Sequence, residues 1–265
     1  MTTFAIVGAT GAVGVEALKV LERRNVPITT LRLFASARSA GTTLYFRGVP
    51  VVVEELTEKS FEGIDMAIFS AGGDISKHFA PIAARAGCVV IDNSSAFRMD
   101  DTVPLVVPEI NADALKNHHN IIANPNCTTI ITLMALYPLH SAFKVSRIFA
   151  ASYQAVSGTG AAAVQELERQ VQQIAANEPV TKEVYGKQIA FNVIPHVDVF
   201  LDSGYTKEEM KMENEGKKIM GHPHFKASVT CVRVPVYRAH SIAISAQFEN
   251  PVTPEAARAI LAKAP

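Results

Sequence analysis

The chain has 265 residues, and its 25 Lys and Arg balance 25 Asp and Glu at a formal net charge of zero. That balance excludes the basic face on which nucleic-acid binders depend, and 48% hydrophobic against 19% charged residues excludes a largely disordered chain. The length allows one or two well-packed domains at ~100–200 residues each.

Strand and helix signals alternate through the first half. Residues 4–7 are an apolar run ending in glycines, and residues 13–24 set Val13, Ala17, Leu18, Val20 and Leu21 at helical spacing. Further strands are predicted at 30–35, 49–54, 66–70, 89–92 and 121–123, with a helical pattern at 76–86. Such alternation implies a parallel sheet with right-handed crossovers. After Cys127 the pattern changes. Residues 128–139 read as a buried helix, 161–177 as a long helix with a Gln and Glu side, and 206–220 as a helix rich in Lys and Glu. Long alternating strands follow at 225–237 and 241–250, which favours a second, α+β domain with a mixed or antiparallel sheet. Thr253-Pro254-Glu255 then opens a helix with a cap candidate and Pro at its first position. It runs only to Ala264-Pro265 with no strand behind it, so the sequence is expected to stop short of a complete domain.

The three cysteines, Cys88, Cys127 and Cys231, are odd in number, far apart and without CxxC spacing. Neither a disulfide framework nor a zinc site is expected. The first eight residues carry no Lys or Arg and do not read as a signal peptide. The longest uncharged stretch, 120–143, is interrupted by Asn124-Pro125-Asn126, Pro138 and His140, and its apolar part is shorter than the ~20 residues of a membrane span. A cytoplasmic protein without membrane or nucleic-acid partners is the expectation.

Gly8-Ala9-Thr10-Gly11-Ala12-Val13-Gly14 sits between the first strand and the first helix. Glycines there let the backbone turn tightly and approach a pyrophosphate, while the helix N-terminus offers free N–H groups and partial positive charge. This strand–turn–helix context reads as a Rossmann-like dinucleotide site. An NAD site commonly shows an acidic residue at the end of the second strand. Here that place reads Ser36-Ala37-Arg38-Ser39, and a guanidinium with two hydroxyls suits the 2′-phosphate of NADP. Ser70-Ala71-Gly72-Gly73 follows another strand end, where ligands approach such sheets.

Cys127 lies in Asn124-Pro125-Asn126-Cys127-Thr128-Thr129, just ahead of an apolar helix. A thiol at a helix N-terminus has a stabilised thiolate and becomes a nucleophile, whereas Cys88 and Cys231 lie in apolar strand sequences, where Cys acts as a small hydrophobe. Of the eight His, His240 is the best candidate base, at a strand–strand corner after Arg233-Val234-Pro235-Val236-Tyr237-Arg238-Ala239. His118-His119 and His222-Pro223-His224 fall in polar loops, and no pattern completes a metal site.

Seven motifs in order give the chain a specific resemblance to aspartate-semialdehyde dehydrogenases of the bacterial type. They are Gly8 to Gly14, Ser36 to Ser39, Asn93-Ser94-Ser95-Ala96-Phe97-Arg98, Asn126-Cys127-Thr128, Ser152-Tyr153-Gln154-Ala155-Val156-Ser157-Gly158, Glu208-Glu209-Met210-Lys211, and Arg233 through His240. The resemblance implies a Rossmann-like NADP-binding domain over 1–125 and an α+β catalytic and dimerisation domain with a mixed sheet over 126–265. It implies that Cys127 attacks the aldehyde of L-aspartate 4-semialdehyde, that the resulting thioester is cleaved by phosphate, and that biosynthesis runs this in reverse. His240 would exchange protons with the thiol, Gln154 would orient that pair and the substrate, and Asn126 would sit beside the thiol. Arg233 would take the α-carboxylate bidentately, Glu208 would face the α-ammonium, and Arg98 and Lys211 would hold phosphate. Thr10, Gly11, Ala12 and Val13 would line the pyrophosphate. Arg38 and Ser39 would take the 2′-phosphate, and Ser157 and Gly158 the nicotinamide side; Asn93 is a further cofactor candidate.

The family's habit also implies a homodimer, and its members extend several dozen residues beyond the helix at Thr253. Two other readings stay open. One is an N-acetyl-γ-glutamyl-phosphate reductase, whose acylated substrate amine would leave Glu208 without a purpose. The other is a shortened NADP-binding protein without catalysis, which the alkylation rate of Cys127 would distinguish.

Overall fold

A computed structural model of the chain describes residues 2–265. The chain divides into two compact units, one running to Val107 and resuming over Ala112–Pro125, the other comprising Pro108–Asn111 and Asn126–Pro265. The first unit contains, in order, β1 (Thr3–Val7), α1 (Ala12–Arg23), β2 (Thr30–Ala35), β3 (Thr43–Phe46), β4 (Val49–Glu55), β5 (Met66–Phe69), α2 (Gly73–Arg85), β6 (Val89–Asp92) and β7 (Ile121–Ala123). They form one sheet in the order β3-β4-β2-β1-β5-β6-β7. Every neighbouring pair is parallel except β3 with β4. The pleat explains the unbroken apolar runs. Ala5 and Val7 of β1 enter a cluster with Phe34, Phe61, Phe69 and Ala80, while Phe4 and Ile6 enter another with Leu18, Leu21, Leu33 and Val53. Both faces are covered, as a parallel sheet requires. Strand order reverses at β1, whose neighbours are β2 and β5, so ligands are expected beyond the C-terminal ends of these strands.

The antiparallel β3 is absent from the sequence reading. Its hairpin turns through Arg47 (φ 51°) and Gly48 (φ 75°), a two-residue connection of the kind that matches strand twist.

The second unit contains α3 (Pro108–Asn111), α4 (Cys127–Phe143), β8 (Val145–Gln154), α5 (Ala161–Ala175), α6 (Lys207–Met220), β9 (Lys226–Arg233), β10 (Ser241–Phe248) and α7 (Pro254–Leu261). Its sheet has the order β10-β8-β9, antiparallel on one side of β8 and parallel on the other. The mixed sheet is as expected, but its central strand β8 is not among the predicted elements. The long strand expected at 225–237 stops at Arg233, before Pro235, and frees a loop leading to His240. Helix α4 continues through Pro138 to Phe143, four residues past its expected end.

Helix α6 is pinned at both ends. Thr206 and Glu209 form a reciprocal capping box, and Gly221 closes the helix in the left-handed conformation. Its buried stripe is Glu208, Met212, Glu215, Gly216 and Ile219. Gly216 packs against Phe225, where a Cβ would come within 2.9 Å of the ring. Among the described residues no helix is long and apolar enough to cross a membrane, and no group of three or more His, Cys, Asp or Glu could hold a metal ion.

Candidate active site

In the first unit, three segments leave the C-terminal ends of the adjacent strands β2, β1 and β5. After β1, the Gly8 and Ala9 N–H groups donate to the Phe34 carbonyl at 2.8 and 3.1 Å. Gly8 takes φ 85°, and a Cβ there would meet the Ala71 backbone nitrogen at 2.9 Å. A Cβ on Gly14 would come within 2.2 Å of the Gly8 oxygen. The turn is closed to side chains and brings backbone to the surface, which fits a dinucleotide pyrophosphate. Gly11 is the N-cap of α1, with no side-chain cap and no acidic residue in the first turn. Ala12 and Val13 are exposed there, with Thr10 partly so. After β2, Ser36 precedes a single turn of 3₁₀ helix, Ala37–Ser39, with Ser36 and Arg38 exposed and Ser39 half-buried. After β5, the Ser70 hydroxyl donates to the Val7 carbonyl at 3.1 Å, and Ala71 and Gly72 lead exposed into α2.

Further along the same edge, Arg98 is buried. Its Nε donates to the Asn124 carbonyl at 2.9 Å and its Nη2 to the Asn93 carbonyl at 3.1 Å. Asn93 Oδ1 in turn accepts from Asn124 Nδ2 at 2.7 Å. The guanidinium is thus set by chain segments that follow β6 and β7.

In the second unit, Cys127 is exposed and occupies the first position of α4. The Asn126 side chain caps that helix, accepting from the N–H groups of Thr128 and Thr129 and from the Thr128 hydroxyl. Its Nδ2 donates to Glu208 Oε1 at 3.1 Å, an oxygen that also accepts from Gln154 Nε2 at 3.2 Å. Lys211 donates to the other oxygen of Glu208 at 2.8 Å and to Asp198 at 3.1 Å. Burial pushes the Glu208 carboxyl upward, but the Lys211 charge and the hydrogen bonds from Lys211, Asn126 and Gln154 outweigh it and leave it below the ordinary range.

The end of β8 organises the remainder. The N–H of Ala155, next to Gln154, donates to His240 Nδ1 at 2.9 Å, and its carbonyl accepts from Arg233 Nη1 at 2.8 Å. An unbroken set of contacts therefore gathers Asn126, Gln154, Glu208, Lys211, Arg233 and His240 around one strand end. Burial, then the Arg233 charge, holds His240 below its ordinary value despite the opposing pull of Glu208. With Nδ1 accepting from a backbone N–H, the neutral ring carries its proton on Nε2. Gly158 packs beside it, and a Cβ would lie 3.1 Å from Arg233 Nη1 and 3.3 Å from His240 Cε1. Ser157 is half-buried, its N–H donating to the Tyr237 carbonyl at 3.2 Å. Cys88 and Cys231 are buried, and burial pushes their thiols up to about 12 and about 11.

Residues 3–118 match the model of the semialdehyde dehydrogenase NAD binding domain, and residues 136–265 that of the semialdehyde dehydrogenase dimerisation domain. The aspartate-semialdehyde dehydrogenase of Aquifex aeolicus is 51% identical, the match covering 98% of this chain and 78% of that protein. The chain belongs to the aspartate-semialdehyde dehydrogenase family. The Bacillus subtilis member is 48% identical over 98% of this chain and 78% of its own length. The structure of aspartate semialdehyde dehydrogenase II from Vibrio cholerae, complexed with ASA, superposes with a TM-score of 0.98 at 45% identity, covering 100% of this chain and 79% of that one.

Three residues of this aspartate-semialdehyde dehydrogenase site are missing from the sequence reading. Asp198 adopts φ 70° and grips Lys211. Tyr185 lies 5.9 Å beneath the Arg233 guanidinium and donates to Thr159 Oγ1 at 3.0 Å, beside Gly158. Glu215 is buried against Asn126. Asp198 and Tyr185 come from a long loop with no periodicity to flag them. For Glu215 a signal does exist: with Glu208, Met212 and Ile219 it falls on a single helical stripe.

Proposed function

We propose that this chain interconverts L-aspartate 4-semialdehyde and L-4-aspartyl phosphate with NADP, through a thioester on Cys127. In the reductive direction this serves the biosynthesis of lysine and diaminopimelate, threonine, methionine and isoleucine. The observation that carries the reading is one exposed thiol at a capped helix N-terminus, beside a carboxylate and a guanidinium held by the same strand end. The helix N-terminus favours the thiolate. Cys127 Sγ attacks the aldehyde carbon, and the His240 Nε2–H donates to the oxygen that becomes negative as sulfur adds. NADP⁺, when bound, supplies the hydride acceptor that takes the adduct to the thioester. Phosphate then displaces the thiolate and regenerates Cys127.

Charge complementarity supports the substrate. Glu208 already accepts from an ammonium, that of Lys211, and can accept the substrate α-ammonium. Arg233 pairs with the α-carboxylate, and Arg98 and Lys211 take phosphate. Gly8 to Gly14 with Ser70, Ala71, Gly72 and Asn93 accommodate the dinucleotide, Ser36, Arg38 and Ser39 its 2′-phosphate, and Ser157 and Gly158 the nicotinamide side. The chain would act as a cytoplasmic homodimer, and the open face of the three-stranded sheet, where Phe149 and Tyr153 of β8 are 56% and 44% exposed, supports the dimer.

The test is phosphate-dependent NADPH formation from L-aspartate 4-semialdehyde, followed at 340 nm. Wild type should be active, Cys127→Ala inactive, and Arg38→Ala should raise the KM for NADP⁺ far more than that for NAD⁺. A Cys127→Ala variant with wild-type activity rejects the thioester. Equal effects of Arg38→Ala on both dinucleotides reject the 2′-phosphate contact.

A further inference from the structure

Helix α6 reaches the start of α4 twice. In the first turn of α6, Glu208 accepts from the Asn126 side chain. Seven residues later on the same face, Glu215 is 2% exposed and its Oε2 accepts the Asn126 backbone N–H at 2.7 Å. Asn126 is therefore held at every polar group. Its Oδ1 caps α4, its Nδ2 meets Glu208, its N–H meets Glu215, and its carbonyl accepts the Ile130 N–H at 2.9 Å.

A capping box built within α4 alone does not account for the last carboxylate. In a capping box, the third helical residue is Glu or Gln, and its side chain reaches back to the N–H of the cap. The third residue of α4 is Thr129, whose buried hydroxyl makes no hydrogen bond. The missing half of the box comes from another helix. A buried carboxylate costs several kcal/mol of lost hydration when it is charged. The peptide it grips immediately precedes Cys127.

We propose that Glu215 is a positioning residue for the nucleophile, completing the α4 capping box from α6 and so fixing the direction in which Cys127 Sγ leaves the helix. The proposal rests on the reading of Cys127 as nucleophile. It assigns to α6 two separate tasks, substrate recognition by Glu208 and thiol placement by Glu215.

The test compares Glu215→Gln, which keeps an acceptor oxygen without the charge, with Glu215→Ala, which removes it. Both are assayed for kcat and KM with L-aspartate 4-semialdehyde, and for iodoacetamide alkylation of Cys127 against pH. Glu215→Ala should lose about tenfold or more in kcat, with KM within about twofold, whereas Glu215→Gln should retain kcat within about threefold, a split that loss of structure alone does not produce. Alkylation of Cys127 should slow in Glu215→Ala and stay near the wild-type profile in Glu215→Gln, because only the former loses the acceptor. Glu215→Ala at wild-type kcat, or Glu215→Gln as impaired as Glu215→Ala while both melt with the wild type, overturns the proposal. Should Glu215→Ala not fold, Glu215→Asp replaces it. Its acceptor is withdrawn by one methylene, so the same loss is expected and wild-type kcat overturns the proposal equally. Cys127→Ser is run in parallel: wild-type activity there removes the nucleophile reading itself, whereas an inactive Cys127→Ser beside an unimpaired Glu215→Ala removes only the role of Glu215.

Discussion

Replacing Asn126 with alanine separates the energetics of this site from its chemistry. The side chain caps α4 through two N–H groups and a hydroxyl belonging to Thr128 and Thr129, which are 1% and 0% exposed. Water cannot take over for groups so deeply buried, which places the lost cap near the upper end of about 0.5–2 kcal/mol. The same change removes a donor from Glu208, and a hydrogen bond to a charged group contributes about 1.5–3 kcal/mol. Together these give a loss of about 4 kcal/mol, or a urea midpoint lower by about 2 M at an m-value near 2 kcal/mol/M. Hydrogen exchange at Thr128 and Thr129 should accelerate along with it. Asn126→Asp is the informative partner, because aspartate caps equally well. It would also set a carboxylate where Nδ2 lies 3.1 Å from Glu208. One member of such a pair is held protonated in the folded state, with its pKa raised above the unfolded value of about 4. The folded state then binds more protons than the unfolded one, so the Asn126→Asp deficit should be small near pH 4 and grow toward pH 7. An Asn126→Ala midpoint within about 0.3 M of wild type, or a pH-independent Asn126→Asp deficit, refutes the reasoning.

Other expectations concern single groups. The Glu208 carboxyl lies below its ordinary range, so its contribution to stability is present above the unfolded Glu value of about 4.3 and is lost as pH falls through the depressed one. Urea titrations from about pH 5 to pH 3 should therefore show wild type losing more stability than Glu208→Gln, and parallel curves would contradict the assignment. His240 should titrate below 6.5 by NMR and lower still in Glu208→Gln, because that carboxylate raises it; an upward movement would invert the electrostatics drawn for the site. Gly14→Ala should abolish dinucleotide binding, its Cβ falling 2.2 Å from backbone, whereas Gly158→Ala should lower kcat/KM by crowding Arg233 and His240. With thiols at about 12 and about 11, Cys88 and Cys231 should resist iodoacetamide at pH 8, and mass spectrometry should find Cys127 modified first.

Legibility in the sequence followed the strength of each physical signal. The parallel sheet was readable because its strands are apolar on both faces and its turn needs Gly8 and Gly14. Strand β8 escaped because its inward positions near the site are Ser152 and Gln154, whereas Phe149 and Tyr153 point outward, so the polar alternation runs opposite to an ordinary half-buried strand. The helix predicted at 128–139 already spans Pro138, but α4 runs on through His140 and Ser141 to Phe143. Motif residues such as Gln154, Arg233 and His240 carried family resemblance, but their common anchor, the Ala155 peptide, has no side-chain signature. Glu215 left a weaker signal, a place on the stripe of Glu208, Met212 and Ile219 that the surrounding Lys and Glu residues dilute.

The close contact between Gly216 and Phe225 has an evolutionary consequence. Glycine there lets α6 settle against the aromatic ring, and any side chain would lift the helix by a fraction of an ångström. Because Glu208 and Glu215 ride on that helix, a lineage that exchanged Gly216 for alanine would change its turnover at a residue touching no reactant. Such a position would be frozen by selection while looking, in any survey of contacts, like ordinary filler.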